Sequence, residues 1–357
     1  MQEKIFKNLK INDVNLKNRF VVSPMCQYSS IKGNPVNWHY KHLNNLAQSG
    51  AALLMIEATA VEERGKITHS DMSLINNDNY NNLNRLVNYL KKKSDIKIGI
   101  QISHSGRKGS TELPWIKSNE PLKNKSWKTI SASSIKKELD WPTPIEMKEK
   151  DFNKVKKNFY RSTKFAKNLN LDCLELHMAH GYLLHQFFSP ITNKRTDKYG
   201  GSLKNRCQFL IDIAKIVRKN WSKNKILGAR ITGKDWVKNG IQIKDSIYLT
   251  KQLKKIGFDY VCVSSGGLVS NTDFKPKLNF NFLLAKKIKK KCNILVRVGG
   301  MIEDINFAKK IINSKDVDLI SNARKYIYEP NFILKELSKL NPKNNTIPNQ
   351  YRRCYKI

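Results

Sequence analysis

The chain has 357 residues, 40% of them hydrophobic, and a formal charge of +37 from 66 Lys and Arg against 29 Asp and Glu. That length and apolar fraction suit one α/β barrel with insertions and exclude a chain disordered throughout. No run of about 18 apolar residues and no signal-peptide h-region after Met1 is present, so a soluble cytoplasmic protein with no membrane partner is expected.

A charge of this size would draw nucleic acid at low salt. The lysines, however, are spread over nearly every predicted helix together with abundant asparagine, and both residues share AT-rich codons. No basic helix or aromatic-interleaved patch stands out, so no specific nucleic-acid partner is expected. Cysteines at 26, 173, 207, 262, 292 and 354 form no CxxC pair, which excludes the usual zinc and iron–sulfur spacings and a disulfide framework. No metal is expected.

Taken in chain order, residues 5–17 read as a hairpin turning near Asn12-Asp13, and 19–22 as a buried strand halted by Ser23-Pro24. A helix over 38–48 leads to an apolar strand over 51–57, a helix over 78–93 to a strand over 96–103. From 106 to about 144 the periodicity fails; this stretch carries Trp115, Trp127 and Trp141 and has the length of a lid or binding element. The helix over 148–168 and strand over 171–176 follow, then a loop over 189–201 and a helix capped by Ser202 and running to 221. Strands over 226–231, 259–263, 293–298 and 317–320 alternate with helices over 243–256, 280–290 and 304–313, and a last helix begins near Pro330. Eight strand–helix repeats in this length predict a closed (β/α)8 TIM barrel, with an N-terminal hairpin and a long insertion after the third strand. An open doubly wound sheet is disfavoured because no GxGxxG follows the first strand. Residues 1–340 read as one barrel domain and 341–357 as a polar, aromatic tail.

In such barrels chemistry is built at the carboxyl ends of the strands. Here those ends carry Pro24-Met25-Cys26, Ala58-Thr59, Gln101 with His104, His177 with His180, Arg230, Ser264-Ser265, Gly299-Gly300 and Ala323-Arg324. The fourth end, Leu174 to Tyr182, closes on two imidazoles and a phenol, groups suited to holding an electron-rich oxygen and delivering a proton beside it. The last two ends lie where barrels bind a phosphate. Arg230, inside an otherwise apolar strand, is costly to bury without an anion or an acceptor.

Ser23-Pro24-Met25-Cys26-Gln27-Tyr28, the run from Gln101 to Lys108, His177 to Leu183, the block from Arg195 to Arg206 (Arg-Thr-Asp-Lys-Tyr-Gly-Gly-Ser-Leu-Lys-Asn-Arg) and Val298-Gly299-Gly300-Met301 resemble, in order and over essentially the whole chain, the Old Yellow Enzyme family of flavin-dependent ene-reductases. Cys26 with Tyr28 resembles its bacterial thermophilic-like subclass. The resemblance implies non-covalent FMN over the barrel mouth. Pro24, Met25 and Ala58 would contact the isoalloxazine, Gln101 its pyrimidine edge and Arg230 the N1–O2 side. Gly300, Ala323 and Arg324 would bind the phosphate, with Ser23 and Gly299 in the same cofactor set, and Cys26 would tune the reduction potential. NADPH or NADH would reduce the flavin and leave. His177 and His180 would then hold the oxygen of an activated alkene, an α,β-unsaturated carbonyl or nitro compound, whose β-carbon takes hydride. Tyr182, with Tyr28 as the second candidate, would protonate the α-carbon. The tail resembles subclass tails in which an arginine, here Arg353, reaches a neighbouring active site, implying a homodimer or homotetramer.

Two departures are visible. Family members usually have Gly where Ala323 stands, and a positive φ there would cost alanine about 1 kcal/mol. Met178 replaces a smaller residue and is expected to alter packing under the histidines. The alternative function is a phosphate-binding barrel aldolase or isomerase without flavin, which needs a strand-end base; Glu57 is the only obvious carboxylate and precedes the mouth. Metal-dependent hydrolysis through His104, His177 and His180 lacks a carboxylate ligand in its motif.

Overall fold

Continuous apolar runs, as opposed to alternating ones, belong to strands covered on both faces, and the eight runs close into a parallel barrel. The computed structural model describes residues 3–117, 119–270, 272, 274–340 and 347–354. A hairpin of β1 (Leu9–Ile11) and β2 (Val14–Leu16) precedes the first barrel strand, β3 (Phe20–Val22). β4 (Leu53–Ala60) and β5 (Lys97–Ser103) follow, then a small outlying pair, β6 (Ile130–Ser131) with β7 (Ile145–Glu146). β8 (Cys173–Met178), β9 (Ile226–Thr232), β10 (Tyr260–Ser264), β11 (Leu295–Gly299) and β12 (Leu319–Asn322) complete the barrel. The strands pair in chain order, and β12 returns to β3 with Ile320 opposite Phe20.

The outer helices are α1 (Asn37–Ala47), α2 (Asn77–Lys93), α3 (Glu149–Asn168), α4 (Leu183–Phe188), α5 (Leu203–Asn220), α6 (Ile243–Ile256), α7 (Phe282–Cys292), α8 (Ile305–Asn313), α9 (Arg324–Tyr328) and α10 (Phe332–Leu340). Ser202 caps α5 as expected, its side chain accepting from the Asn205 amide. None of the described helices is long and apolar enough to cross a membrane.

Several boundaries differ from expectation. β8 runs on to Met178 because His177 pairs with Arg230 and Met178 with Ile231, long-range bonds that propensity cannot anticipate. β4 likewise continues to Ala60, with a register shift between Ile56 and Ala58 that lets it follow β5. α4 and α9 were not expected. The six residues of α4 are buried all round, and one and a half turns show no helical period.

The barrel carries two apolar layers. The outer one lies between strands and helices and includes Ile56, Leu86, Phe159, Leu174 and Phe209. The inner one includes Leu53, Cys173, Ile226, Tyr260 and Leu319, each the first residue of its strand, together with Ile11, Val14 and Leu16 of the hairpin. The hairpin is therefore the floor of the barrel. Above this floor the interior turns polar, with Gln101, Glu175 and Arg297 all buried. Tyr260 fits beside them because its neighbour across the sheet is Gly228, where an added Cβ would lie 2.1 Å from the phenol ring. Gly228→Ala should accordingly destabilise the protein by about 1–3 kcal/mol, the usual range for overpacking. Urea unfolding reads this as a lower midpoint at unchanged slope, and an unchanged midpoint would contradict the packing described.

Candidate active site

The segment after β3 is fixed from below. The Gln27 amide donates to Glu57 Oε2 at 3.0 Å, and the other Glu57 oxygen lies 3.4 Å from His39 Nε2. The Glu57 carboxylate is thus used in holding the loop that carries Pro24, Met25, Cys26 and Tyr28. Ser23 Oγ is 2.6 Å from Ser321 Oγ, tying the ends of β3 and β12. Cys26 is half-buried, and burial followed by the nearby Glu57 pushes its thiol up, so it is a neutral thiol at pH 7. Tyr28 takes a left-handed φ of 48°, a strain typical of functional positions, and its ring meets Trp115 edge-on at 6.3 Å.

His177 and His180 form a directional chain. The Ala179 amide donates to His177 Nδ1 at 3.2 Å, which places the His177 proton on Nε2. That nitrogen is 3.2 Å from His180 Nδ1, and His180 Nε2 is 2.6 Å from Ser264 Oγ. The consistent assignment is a donor run from Ala179 through both imidazoles to Ser264. Burial first, then the positive Arg230, holds both histidines well below the usual imidazole range, so both are neutral donors. Tyr182 packs edge-on against His177 at 4.6 Å, and burial raises its phenol well above the ordinary range. His180 itself has φ 55°, a second strained residue in the motif. Met178 does not lie under these imidazoles. It is buried in the outer layer, on the opposite face of β8 from His177, so it packs behind the strand.

Six expected residues, Ser23, Arg230, Gly299, Gly300, Ala323 and Arg324, line one cavity of about 180 Å³, joined by Ser264 and Asn281. The cavity fits an anionic group. Arg230 makes no ion pair among the described residues, and its buried Nε has no hydrogen-bond partner. Gly300 has φ 111°, and a Cβ there would come within 2.6 Å of Asn281 Nδ2, so the backbone is bare where a ligand would approach. Ala323 has φ −116°, so the anticipated cost of alanine at a positive φ does not arise. α9 has only five residues, and its start is too short to count as a dipole-based anion site.

A second cavity of about 190 Å³ is lined by Tyr28 and Tyr182 together with Lys108, Thr68, Asn119 and Lys137. Several of these come from the 106–144 stretch, so that stretch walls the pocket. Sequence reasoning quoted Lys108 within its motif but gave it no role. Its ammonium donates to the His180 and Gly267 carbonyls at 2.9 and 3.2 Å, stands 5.3 Å from the Tyr182 ring, and is lowered to about 8 by burial and then by Lys137 and Arg107. Gln101 and Ala58 are neighbours across β5 and β4, one step below the rim, and Gln101 Nε2 donates to Glu175 Oε1 at 2.7 Å.

Other candidates are placed elsewhere. His104 is buried and used up, with Nε2 3.0 Å from Glu62 and Nδ1 accepting from the Gly106 amide. Among the described residues no group of three His, Cys, Asp or Glu is arranged to hold a metal. The long signature around Arg195 is scaffolding: its guanidinium pairs with Asp197 and donates to the Ala132 and Met147 carbonyls, stapling β6 and β7 to the barrel. Arg353 is exposed on the terminal turn Asn349–Cys354, and tail residues 341–346 and 355–357 lie outside the described residues.

The description "NADH:flavin oxidoreductase / NADH oxidase family" matches residues 4–343. An NADPH dehydrogenase of Listeria innocua is 34% identical over 355 residues, covering 99% of each chain. Among solved structures, an Old Yellow Enzyme from Pichia sp. AKU4542 superposes with a TM-score of 0.75 at 21% identity, covering 91% of this chain and 84% of that one. A complex of 2-naphthoyl-CoA reductase with 2-naphthoyl-CoA gives 0.85 at 20% identity over 94% of this chain, which spans about half (52%) of that longer one. The two structural likenesses speak to the fold.

The donor chain has a direct spectroscopic consequence. At pH 6 the His177 and His180 imidazoles should both remain neutral, with His177 protonated on Nε2, as read from ring 15N chemical shifts. An imidazolium signal from either residue at that pH would refute the arrangement.

Proposed function

The chain belongs to the NADH:flavin oxidoreductase / NADH oxidase family, and from that premise we propose that it is an FMN-dependent ene-reductase of activated alkenes. The coarser activity, flavin-dependent oxidation of a nicotinamide nucleotide, comes with the family; the alkene and the proton donor are the proposal. The observation that carries it is the pair of neutral imidazole donors beside a neutral phenol, on a rim that also presents an arginine lacking a partner for Nε.

Ser23, Arg230, Gly299, Gly300, Ala323 and Arg324 would hold the anionic part of FMN, and Pro24, Met25, Cys26, Ala58 and Gln101 would meet its ring. FMN, when bound, supplies the hydride-carrying chemistry between the nicotinamide and the alkene. His177 and His180 bind and polarise the substrate oxygen, their Nε2–H groups turning to it from His180 Nδ1 and Ser264 Oγ. As neutral donors they stabilise the negative charge that develops there without first giving up a proton. Tyr182 holds a proton at its phenol oxygen and releases it to the α-carbon as that charge forms; a phenol raised this far stays protonated until then. Tyr28, across the second cavity from Tyr182, lines the alkene's pocket. In the same reading Arg353 completes the pocket of a second subunit. The aldolase reading is less well supported, because Glu57, the carboxylate it would use, accepts from the Gln27 amide.

Anaerobic visible spectroscopy decides the main point. The protein should carry FMN, bleach on NADPH and regain colour on 2-cyclohexenone; a colourless protein that takes up no FMN would end the proposal. Tyr182→Phe should slow alkene reduction by about 10²-fold or more while FMN stays bound, in line with loss of a general acid. His177→Ala with His180→Ala should weaken phenol binding, and unchanged phenol affinity would assign the imidazoles another task.

A further inference from the structure

One buried ion pair below the rim takes no part in the roles above. Glu175 and Arg297 are both fully buried inside the barrel, with Arg297 Nη2 2.5 Å from Glu175 Oε2. The Tyr260 hydroxyl donates to the same oxygen at 2.7 Å and accepts from Arg297 Nη1 at 3.2 Å. The other carboxylate oxygen, Oε1, accepts from Gln101 Nε2 at 2.7 Å. Barrel interiors are normally filled by branched apolar side chains, and a buried ion pair adds little stability over such packing. Stability alone therefore does not account for an arginine here.

The chemistry of the carboxylate suggests what does. A carboxylate only accepts hydrogen bonds, so Glu175 dictates which end of the Gln101 amide faces it. We propose that Arg297 is a positioning residue for the cofactor: it holds Glu175 as a carboxylate, and Glu175 locks the Gln101 amide with its nitrogen toward the barrel interior and its carbonyl oxygen free for a ligand donor. This rests on the reading that Gln101 meets the FMN ring. The pyrimidine edge of that ring alternates carbonyl acceptors with a single N–H donor, so an amide turned the wrong way would set its NH2 against that N–H and its oxygen against the Glu175 carboxylate. Without its guanidinium the buried carboxylate is costly to keep charged. Without that partner the Glu175 side chain is no longer fixed, and Gln101 would be free to turn. None of the three partners is near another in sequence, and each comes from a different strand: Gln101 from β5, Glu175 from β8, Arg297 from β11.

The test uses full-length protein stripped of FMN and titrated with FMN, together with the midpoint potential of the bound flavin. Arg297→Met should raise the FMN dissociation constant about tenfold, the equivalent of one hydrogen bond, and shift the potential. Arg297→Lys should fall between that variant and wild type. In a Gln101→Ala background Arg297→Lys should have no further effect, because the group it acts through is gone. An equal effect of Arg297→Lys in both backgrounds, or unchanged FMN affinity and potential in a folded Arg297→Met protein, overturns the proposal alone. If Arg297→Met does not fold, the cycle with lysine still decides. A wild-type protein that takes up no FMN overturns the functional reading and this proposal with it.

Discussion

Pairing of β12 with β3 removes both edges of the sheet and encloses a space that side chains must fill. The chain fills it in three tiers of rising polarity. At the bottom, apolar first residues of the strands meet the hairpin. In the middle, Glu175 and Arg297 neutralise each other, and Tyr260 and Gln101 donate to the carboxylate. At the top, Arg230 keeps its Nε donor available to a ligand among serines that line the same cavity. The order follows cost: an arginine without an ion pair is cheapest where solvent or a ligand can reach it, so Arg230 is at the rim and Arg297, paired with Glu175, is below.

The rim is positive in sign yet made largely of neutral reacting groups. Arg230 and Lys108 supply the field, and that same field, together with burial, keeps the imidazoles unprotonated. Burial likewise keeps the Cys26 thiol and the Tyr182 phenol protonated. A site so arranged attracts an anion and presents it with donors that still hold their protons. That division between cations that attract and neutral groups that react could not be read from residue identities, since histidine charge is a property of surroundings.

Much of the rest was legible. The barrel followed from eight apolar runs alternating with helices, and five rim residues named from strand ends gather around one cavity with Ser23, which the family resemblance supplied. The misses share a cause. β8 and β4 extend through pairings with distant strands, and α4 is too short to carry a period. Arg297 drew no reading from the sequence, because its partner Glu175 comes from a strand far earlier in the chain. The Arg195 to Arg206 block taught the opposite lesson: the stretch that best identified the family holds the scaffold together and touches no substrate pocket described above.

The hairpin floor has a consequence for how the chain assembles. Its apolar residues share one cluster with Leu319 as well as with Leu53 and Cys173, so the hairpin is sealed only once the last barrel strand is in place. Until then Ile11, Val14 and Leu16 stay exposed to whatever else is nearby. Closure between strands far apart in sequence, more than local helix or strand propensity, therefore decides when the floor is buried.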